Sequence, residues 1–259
     1  MSFPVHLSLF GLALHPHVVF ETLGYFVGFR LYLWGRRRQG DVIPAPTRWW
    51  AITAAALGGA FGSKLLAWLE DPSALQAHWR EPAFFLAGKT IVGGLLGGLV
   101  VVEVVKWVLG ERRSTGDLFA IPLGVGIAIG RIGCFLTGLD DHTYGVATSL
   151  PWGVDFGDGV SRHPTQLYEC IFLVAFAIVL ARVRGVLTRS GDAFKVFMIG
   201  YLAFRLAIDA IKPAPAVWGL ATIQWACVAG LVYYGNDIVR LGRAALDGRL
   251  RRDTAIHTT

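Results

Sequence analysis

The chain has 259 residues, of which 54% are hydrophobic and 16% are charged, and its mean hydropathy is +0.53. These values exceed those of an ordinary soluble domain and predict a membrane protein. The formal net charge of +6 collects between the apolar stretches, so we attribute it to membrane topology and exclude nucleic acid as a partner.

Seven apolar stretches come close to the roughly 20 residues that a helix needs to cross the hydrocarbon core. They predict an all-α polytopic membrane protein with about seven transmembrane helices in a single transmembrane domain over residues 1–259. The N-terminus has no basic segment ahead of its short apolar run, so we expect no removable signal peptide. In chain order, the stretches lie at about 17–34, 49–69, 83–109, 117–139, 166–182, 193–211 and 217–235.

Basic residues between these stretches are concentrated in alternate loops. One set of loops has only Arg80, Arg162 and Lys212. Because short cytoplasmic loops are enriched in lysine and arginine, the asymmetry predicts an outside N-terminus and a basic cytoplasmic tail over 236–259. The basic set has Arg36, Arg37, Arg38, Arg48, Arg112, Arg113, Arg182, Arg184, Arg189, Arg240, Arg243, Arg249, Arg251 and Arg252.

Residues 140–163 belong to the longest polar insertion between apolar stretches and predict a small extracytoplasmic head between the fourth and fifth helices. Gly157, Asp158 and Gly159 suit a tight turn within it. Pro164 suits the first turn of the helix that follows, where its missing amide donor has no cost.

The glycines and cysteines are small residues that helix packing and burial can explain. Glycines four residues apart, such as Gly93 with Gly97, predict close packing of membrane helices. The three cysteines of the chain lie in or beside apolar stretches. We interpret them as small buried hydrophobic residues and not as a disulfide set or a zinc site.

Charged residues inside the apolar stretches indicate a functional site, because near the bilayer centre each costs on the order of 3 kcal/mol. Arg205 and Asp209 are one helical turn apart and can pair, either as a structural ion pair or within a site. Arg131 has no acidic partner at helical spacing. Two buried arginines, whose planar forks can each bind two phosphate oxygens, predict a site for an anionic lipid headgroup.

Several motifs carry a family resemblance. "GRIGCFLTGLDDHTYG" at 130–145 is similar to a family signature, and "RHPTQLYE" at 162–169 is similar to an Arg-His-Pro-Ser-Gln-Leu-Tyr-Glu motif. "FRLAID" at 204–209, "GYFVGF" at 24–29 and "GKTIVGGLLGG" at 88–98 are similar to further motifs of the same family. With matching order and spacing over about residues 15–235, the chain resembles the prolipoprotein diacylglyceryl transferases.

The resemblance implies a multi-pass enzyme of the bacterial inner membrane that takes part in lipoprotein biosynthesis. Such an enzyme transfers the diacylglyceryl group of phosphatidylglycerol to the lipobox cysteine of a prolipoprotein and releases glycerol phosphate. Its partners would be phosphatidylglycerol, prolipoprotein signal peptides and membrane lipids, and no cofactor or metal is implied.

The resemblance also implies roles for individual residues. It implies catalytic roles for Arg131, Arg205, His163 and Asp209, with the two arginines holding the lipid phosphate. For His163, a role as the N-terminal cap of the following helix is an equally good alternative. The residues implied in substrate binding are Tyr25, Gly93, Gly94, Tyr144, Gly145, Gln166, Tyr168 and Glu169.

The chain departs from the family pattern at the third-helix histidine, whose place is taken by Val92, a side chain that cannot accept a proton. Cys134 stands where an asparagine is usual. Glu21 and Lys89 are also uncharacteristic. An ion pair between the first and third apolar stretches is one alternative explanation for them, and not the favoured one. These changes leave two alternatives open: a transferase of the same fold with another donor or acceptor, and a catalytically silent membrane protein that binds lipid headgroups.

Overall fold

The computed structural model describes residues 3–5, 7–9, 12–40, 43–86, 88–187 and 189–257, with residues 9, 12 and 248–257 described by their backbone alone. Ten α-helices form most of this part of the chain, which confirms the prediction of a mainly helical protein. They are α1 (Pro16–Gln39), α2 (Ala45–Glu70), α3 (Pro72–His78), α4 (Pro82–Leu86), α5 (Ile91–Val108), α6 (Asp117–Thr137), α7 (Thr165–Val183), α8 (Asp192–Ile208), α9 (Thr222–Tyr233) and α10 (Gly235–His257).

Three short antiparallel hairpins, which were not predicted, accompany the helices in the described residues. In the predicted head, Oδ1 of Asp155 accepts hydrogen bonds from the amides of Gly157 at 2.8 Å and Gly159 at 3.0 Å. Both glycines have positive φ angles, and the predicted turn is confirmed. The hairpins are β1 (Leu7–Leu9) with β2 (Leu12–Leu14), β3 (Val154–Asp155) with β4 (Ser161–Arg162), and β5 (Ala216–Val217) with β6 (Leu220–Ala221).

Three of the described helices are long and apolar enough to cross a membrane. They are α2, α5, and α6 together with the 3₁₀ turn that extends it to Asp141. Helix α9 is apolar but has only 12 residues. Helix α10 occupies most of the predicted tail, of which residues 258 and 259 lie outside the described residues. The count of seven crossings stays a prediction.

The third predicted stretch, 83–109, is divided into two helices, so a single continuous helix there is wrong. Helix α5 begins after Thr90, whose Oγ1 accepts a hydrogen bond from the Gly93 amide at 3.2 Å. The Lys64 ammonium on α2 donates to the carbonyl oxygens of Leu86 and Gly88. These carbonyls lie at the end of α4, where intrahelical donors are missing, and Lys64 supplies the missing donor.

Helices α2 and α5 pack closely through glycines. A Cβ atom on Gly97 would lie 2.4 Å from the carbonyl oxygen of Gly58, and one on Gly93 would lie 2.3 Å from that of Gly62. Any larger side chain at these positions would push the two backbones apart. The prediction that this glycine spacing serves helix packing is therefore confirmed.

Helices α1 and α6 also approach closely. A Cβ atom on Gly24 would lie 2.6 Å from the Gly126 carbonyl oxygen, and one on Gly133 would lie 3.2 Å from the Cα atom of His17. This approach brings the first turn of α1 against the last turns of α6. His17 thus lies beside Cys134, 117 positions away in the sequence.

Helices α6, α7, α8 and α9 surround an apolar core. Leu173 of α7, Met198 and Leu202 of α8, and Cys227 of α9 are fully buried in it, together with Val92 of α5. Between membrane helices, such side chains stabilise the fold through close van der Waals packing. The polar faces of α6, α7 and α8 meet at the edge of this core and form the site described below.

Candidate active site

A carboxylate lies between two buried arginines where α6, α7 and α8 meet. The Arg131 Nε atom is 2.9 Å from Oε2 of Glu169, and the Arg205 Nη1 atom is 3.6 Å from Oε1 of the same residue. The Tyr201 hydroxyl donates a hydrogen bond to that Oε1 at 2.6 Å. All four residues are at most 5% exposed, so water screens their charges little.

Asp209 fixes the orientation of Arg205. Its two carboxylate oxygens accept hydrogen bonds from Nε of Arg205 at 3.0 Å and from Nη2 at 2.9 Å, which confirms the predicted pair. The Lys212 Nζ atom lies 3.2 Å from Oδ1 of Asp209. Burial, reinforced by the charges of Arg205 and Arg131, lowers the pKa of Lys212 to about 8. The ammonium therefore loses its charge as the pH rises through that value.

This arginine cluster has an excess of positive charge. Below a pH of about 8, its three cationic side chains exceed its two carboxylates by one charge. A buried site with such an excess attracts an anion, and the forks of its arginines favour a phosphate. The members of the cluster are Arg131, Glu169, Tyr201, Arg205, Asp209 and Lys212.

Gln166 lies one turn before Glu169 on α7, and its side chain is only 1% exposed. Neither Oε1 nor Nε2 of Gln166 has a hydrogen-bond partner among the described residues. Because buried polar atoms are nearly always paired, a polar atom of a ligand would suit this amide.

His163 is held by aromatic neighbours at the start of α7. Its Nδ1 atom is 3.2 Å from the Tyr168 hydroxyl, which accepts a hydrogen bond from Nε1 of Trp152 at 2.8 Å. Among the described residues, the His163 side chain makes no hydrogen bond or ion pair with either arginine of the cluster. Its alternative role as a helix cap is wrong, because Pro164 takes the cap position and no side chain caps α7.

The other residues implied in substrate binding are dispersed. Tyr144 lies beneath the Arg162 guanidinium, with the Arg162 Cζ atom 5.1 Å from the ring centroid. A Cβ atom on Gly145 would lie 2.7 Å from Cβ of His163, so only glycine fits there. Tyr25 donates a hydrogen bond to Oε1 of Glu21 at 2.9 Å. Gly93 and Gly94 face α2. Substrate binding by these residues stays a prediction.

A second polar cluster surrounds His17 at the start of α1. The His17 Nδ1 atom is 2.9 Å from Oδ1 of Asp141 and 3.8 Å from Sγ of Cys134. Its Nε2 atom is 3.5 Å from Oε2 of Glu21. The Lys89 ammonium donates to that same oxygen at 2.5 Å, so the ion pair that was the less favoured alternative for Glu21 and Lys89 is present.

Cys134 joins the two clusters. Its Sγ atom is 3.7 Å from Nη1 of Arg131 and faces His17 on its other side. Cys134 is buried, as predicted, and it also has the polar neighbours Arg131 and His17. Cys134, Cys170 and Cys227 are all free thiols.

Val92 is fully buried among apolar side chains, including Met198 and Leu202. No proton can be taken up at this position, and the apolar surroundings would disfavour a charged side chain there.

Two residues of these clusters were not predicted, although their spacing could have indicated them. Tyr201 lies four residues before Arg205, and His17 lies four residues before Glu21, so each pair shares a helix face. The contacts of His17 with Cys134 and Asp141 had no such signal. They depend on how α1 packs against α6.

A family model and several relatives of this chain all point to the same family. The family model described as prolipoprotein diacylglyceryl transferase matches residues 4–235. The chain is 34% identical over 203 residues to the phosphatidylglycerol–prolipoprotein diacylglyceryl transferase of Rhodospirillum centenum, covering 71% of this chain and 72% of the relative. It is 33% identical over 223 residues to that of Cupriavidus necator, covering 78% of each chain. It is 30% identical over 252 residues to that of Solidesulfovibrio magneticus, covering 88% of each. The chain therefore belongs to the prolipoprotein diacylglyceryl transferase family.

Proposed function

We propose that this protein transfers the diacylglyceryl group of phosphatidylglycerol to the cysteine thiol of a prolipoprotein lipobox and releases glycerol phosphate. The observation that carries the proposal is the buried pair of arginines around Glu169. Family relatives named for this reaction match most of the chain. Phosphatidylglycerol and prolipoprotein signal peptides are accordingly its substrates.

In this reaction the acceptor sulfur attacks the glycerol carbon, and the bond from that carbon to the phosphate oxygen breaks. Negative charge grows on the phosphate as it leaves. Arg131 and Arg205 stabilise that charge, because preorganised cations act strongly where water is excluded. Asp209 keeps the Arg205 fork in place, and the unpaired amide of Gln166 orients the headgroup. His163, Tyr168 and Glu169 complete the site.

The protein spans the bacterial inner membrane seven times, through α1, α2, α5, α6, α7, α8 and α9. The N-terminus and the head at 140–163 are outside, and α10 forms the cytoplasmic tail. The loop arginines support this orientation. Helices α7 and α8 have 19 and 17 residues. At about 1.5 Å per residue, such helices approach the roughly 30 Å of the hydrocarbon core.

One observation favours a second function. With Val92 at the place of the family histidine, a protein that only binds lipid headgroups would keep the arginines and need no proton acceptor. The same assay separates this alternative from the transferase.

The test is to incubate the purified full-length protein with phosphatidylglycerol and a lipobox peptide. We expect a diacylglyceryl thioether and released glycerol phosphate. Arg131→Gln should lower the rate by about 10²-fold or more, the usual effect of removing a donor that stabilises developing negative charge. Arg182→Gln, which removes an exposed arginine near the end of α7, is the matched control and should leave the rate unchanged. Lipid binding without either product would establish the headgroup-binding alternative.

A further inference from the structure

A histidine, a cysteine and an aspartate converge beside the arginine cluster. One ligand atom from each of His17, Cys134 and Asp141 lies within 4.8 Å of the other two. A tetrahedral zinc ion, bonded at about 2.3 Å to sulfur and about 2.0–2.2 Å to nitrogen and oxygen, holds its donor atoms roughly 3.2–3.6 Å apart. The distances from the His17 Nδ1 atom, 2.9 Å to Asp141 and 3.8 Å to Cys134, lie on either side of that range.

The groups behind these three residues also suit a metal. Nε2 of His17 lies 3.5 Å from Oε2 of Glu21, the same oxygen to which the Lys89 ammonium donates. The second carboxylate oxygen of Asp141 accepts a hydrogen bond from the Thr143 hydroxyl. A histidine that binds a metal through one nitrogen usually donates its other N–H to a carboxylate, and ligating carboxylates are themselves hydrogen-bonded.

The mixture of donor atoms selects the type of metal. Nitrogen, sulfur and oxygen donors together suit zinc, whereas magnesium and calcium take oxygen ligands. Three protein ligands leave one tetrahedral position open, as in catalytic zinc sites. Cys134 is 7% exposed and the His17 side chain 22%, so the cluster is largely shielded and yet open on one side.

We propose that His17, Cys134 and Asp141 form a zinc site that binds and ionises the acceptor thiol. The proposal rests on the proposed function, since it assigns a site for the thiol of that reaction. A thiol that coordinates zinc is deprotonated outright. The chain then needs no proton acceptor at position 92. The zinc site therefore explains why valine can replace the family histidine there.

The lipobox thiol takes the open zinc position and releases its proton to solvent. Its sulfur attacks the glycerol carbon, so that a carbon–sulfur bond forms while the carbon–oxygen bond to phosphate breaks, and glycerol phosphate leaves with the bonding electrons. Arg131, 3.7 Å from Sγ of Cys134, holds the phosphate beside the zinc-bound thiol. The thioether product then leaves the zinc.

The metal content of the full-length protein tests the site directly. The protein is purified in detergent, stripped with a chelator and reloaded with zinc alone. We expect about one zinc ion per chain in the unaltered protein and its loss in His17→Gln and Cys134→Ser. His15→Gln and Cys170→Ser are the matched controls, since they remove a histidine and a cysteine that are not part of the cluster, and they should retain zinc. Glu21→Gln should weaken zinc binding by about 10- to 100-fold.

A second measurement does not depend on whether a variant folds. Cobalt replaces zinc in the unaltered protein, and a sulfur-to-cobalt charge-transfer absorption is expected if Cys134 is a ligand. Absence of this absorption together with absence of bound zinc overturns the site, even if the transferase product forms.

Activity measurements distinguish the site from the function on which it rests. We expect chelation to abolish product formation and zinc to restore it. Zinc bound at the cluster without any product would support the site and overturn the transfer reaction. Full activity in metal-free protein, with a loss only in His17→Gln, would make His17 a proton acceptor and overturn the zinc proposal.

Discussion

Glu169 holds together two arginines that would otherwise repel each other in a buried site. Glu169→Gln keeps the shape of the side chain and removes its charge, which leaves Arg131 and Arg205 facing a neutral amide. Breaking a buried ion pair in this way costs about 3–5 kcal/mol. We expect the variant to lose about this much free energy of unfolding, measured by chemical denaturation in detergent micelles.

The control for this prediction is Glu81→Gln. The Glu81 and His78 side chains are both exposed, at 62% and 48%, and lie 3.0 Å apart, so loss of the Glu81 charge should cost less than about 1 kcal/mol. Added phosphatidylglycerol should stabilise Glu169→Gln more than the unaltered protein, because the lipid phosphate can take the place of the missing carboxylate. If the two variants are equally stable, Glu169 does not hold the arginines together.

At the scale of residues, the sequence is informative where a physical cost is visible in the chain itself. Arg131, Arg205 and Asp209 stand out because charges in apolar stretches need a compensating role. Glu169 could be named only from the resemblance, and its position between the arginines depends on three helices meeting. His17 and Cys134 illustrate the limit, since their contact depends on the packing of α1 against α6 and has no local signal.

The interface of α2 and α5 is an element whose geometry depends on missing side chains. In Gly97→Ala, the added methyl group would lie 2.4 Å from the carbonyl oxygen of Gly58. This is far inside van der Waals contact, so the helices must separate. Overpacking of this kind typically costs about 1–3 kcal/mol, and we expect a corresponding fall in the thermal unfolding temperature in detergent.

Gly130→Ala provides the comparison, because a Cβ atom at that helical position has no neighbour within 4 Å. Alanine there should be neutral, or should stabilise α6 by up to about 1 kcal/mol through its greater helix propensity. Similar unfolding temperatures for the two variants would show that α2 and α5 can separate without loss of stability.

Among the elements, the long helices were predicted from the length of the apolar stretches alone. Most of their ends lie within a few residues of the predicted ones. The break between α4 and α5 was not predicted, because the only charged residues of the predicted stretch are Lys89, Glu103 and Lys106. The break is stabilised from outside that stretch, by Lys64 of α2, whose ammonium binds the carbonyls at the end of α4. The short hairpins were missed because two- or three-residue strands have too little periodicity to be recognised.

For the whole molecule, the proposed topology makes a prediction that does not depend on catalysis. Three crossings, α7, α8 and α9, separate the head from the C-terminal helix, so these two must lie on opposite sides of the membrane. An epitope inserted at Gly159, in the exposed turn of the head, should be accessible from outside in intact spheroplasts. A fluorescent protein fused after Thr259 should report the cytoplasm. An epitope inserted next to Arg112, between α5 and α6, should behave like the C-terminus, because four crossings separate those two points.

If the head and the C-terminus prove accessible from the same side, an even number of crossings lies between them. The short helix α9, with 12 residues, would then be the one that does not span the bilayer.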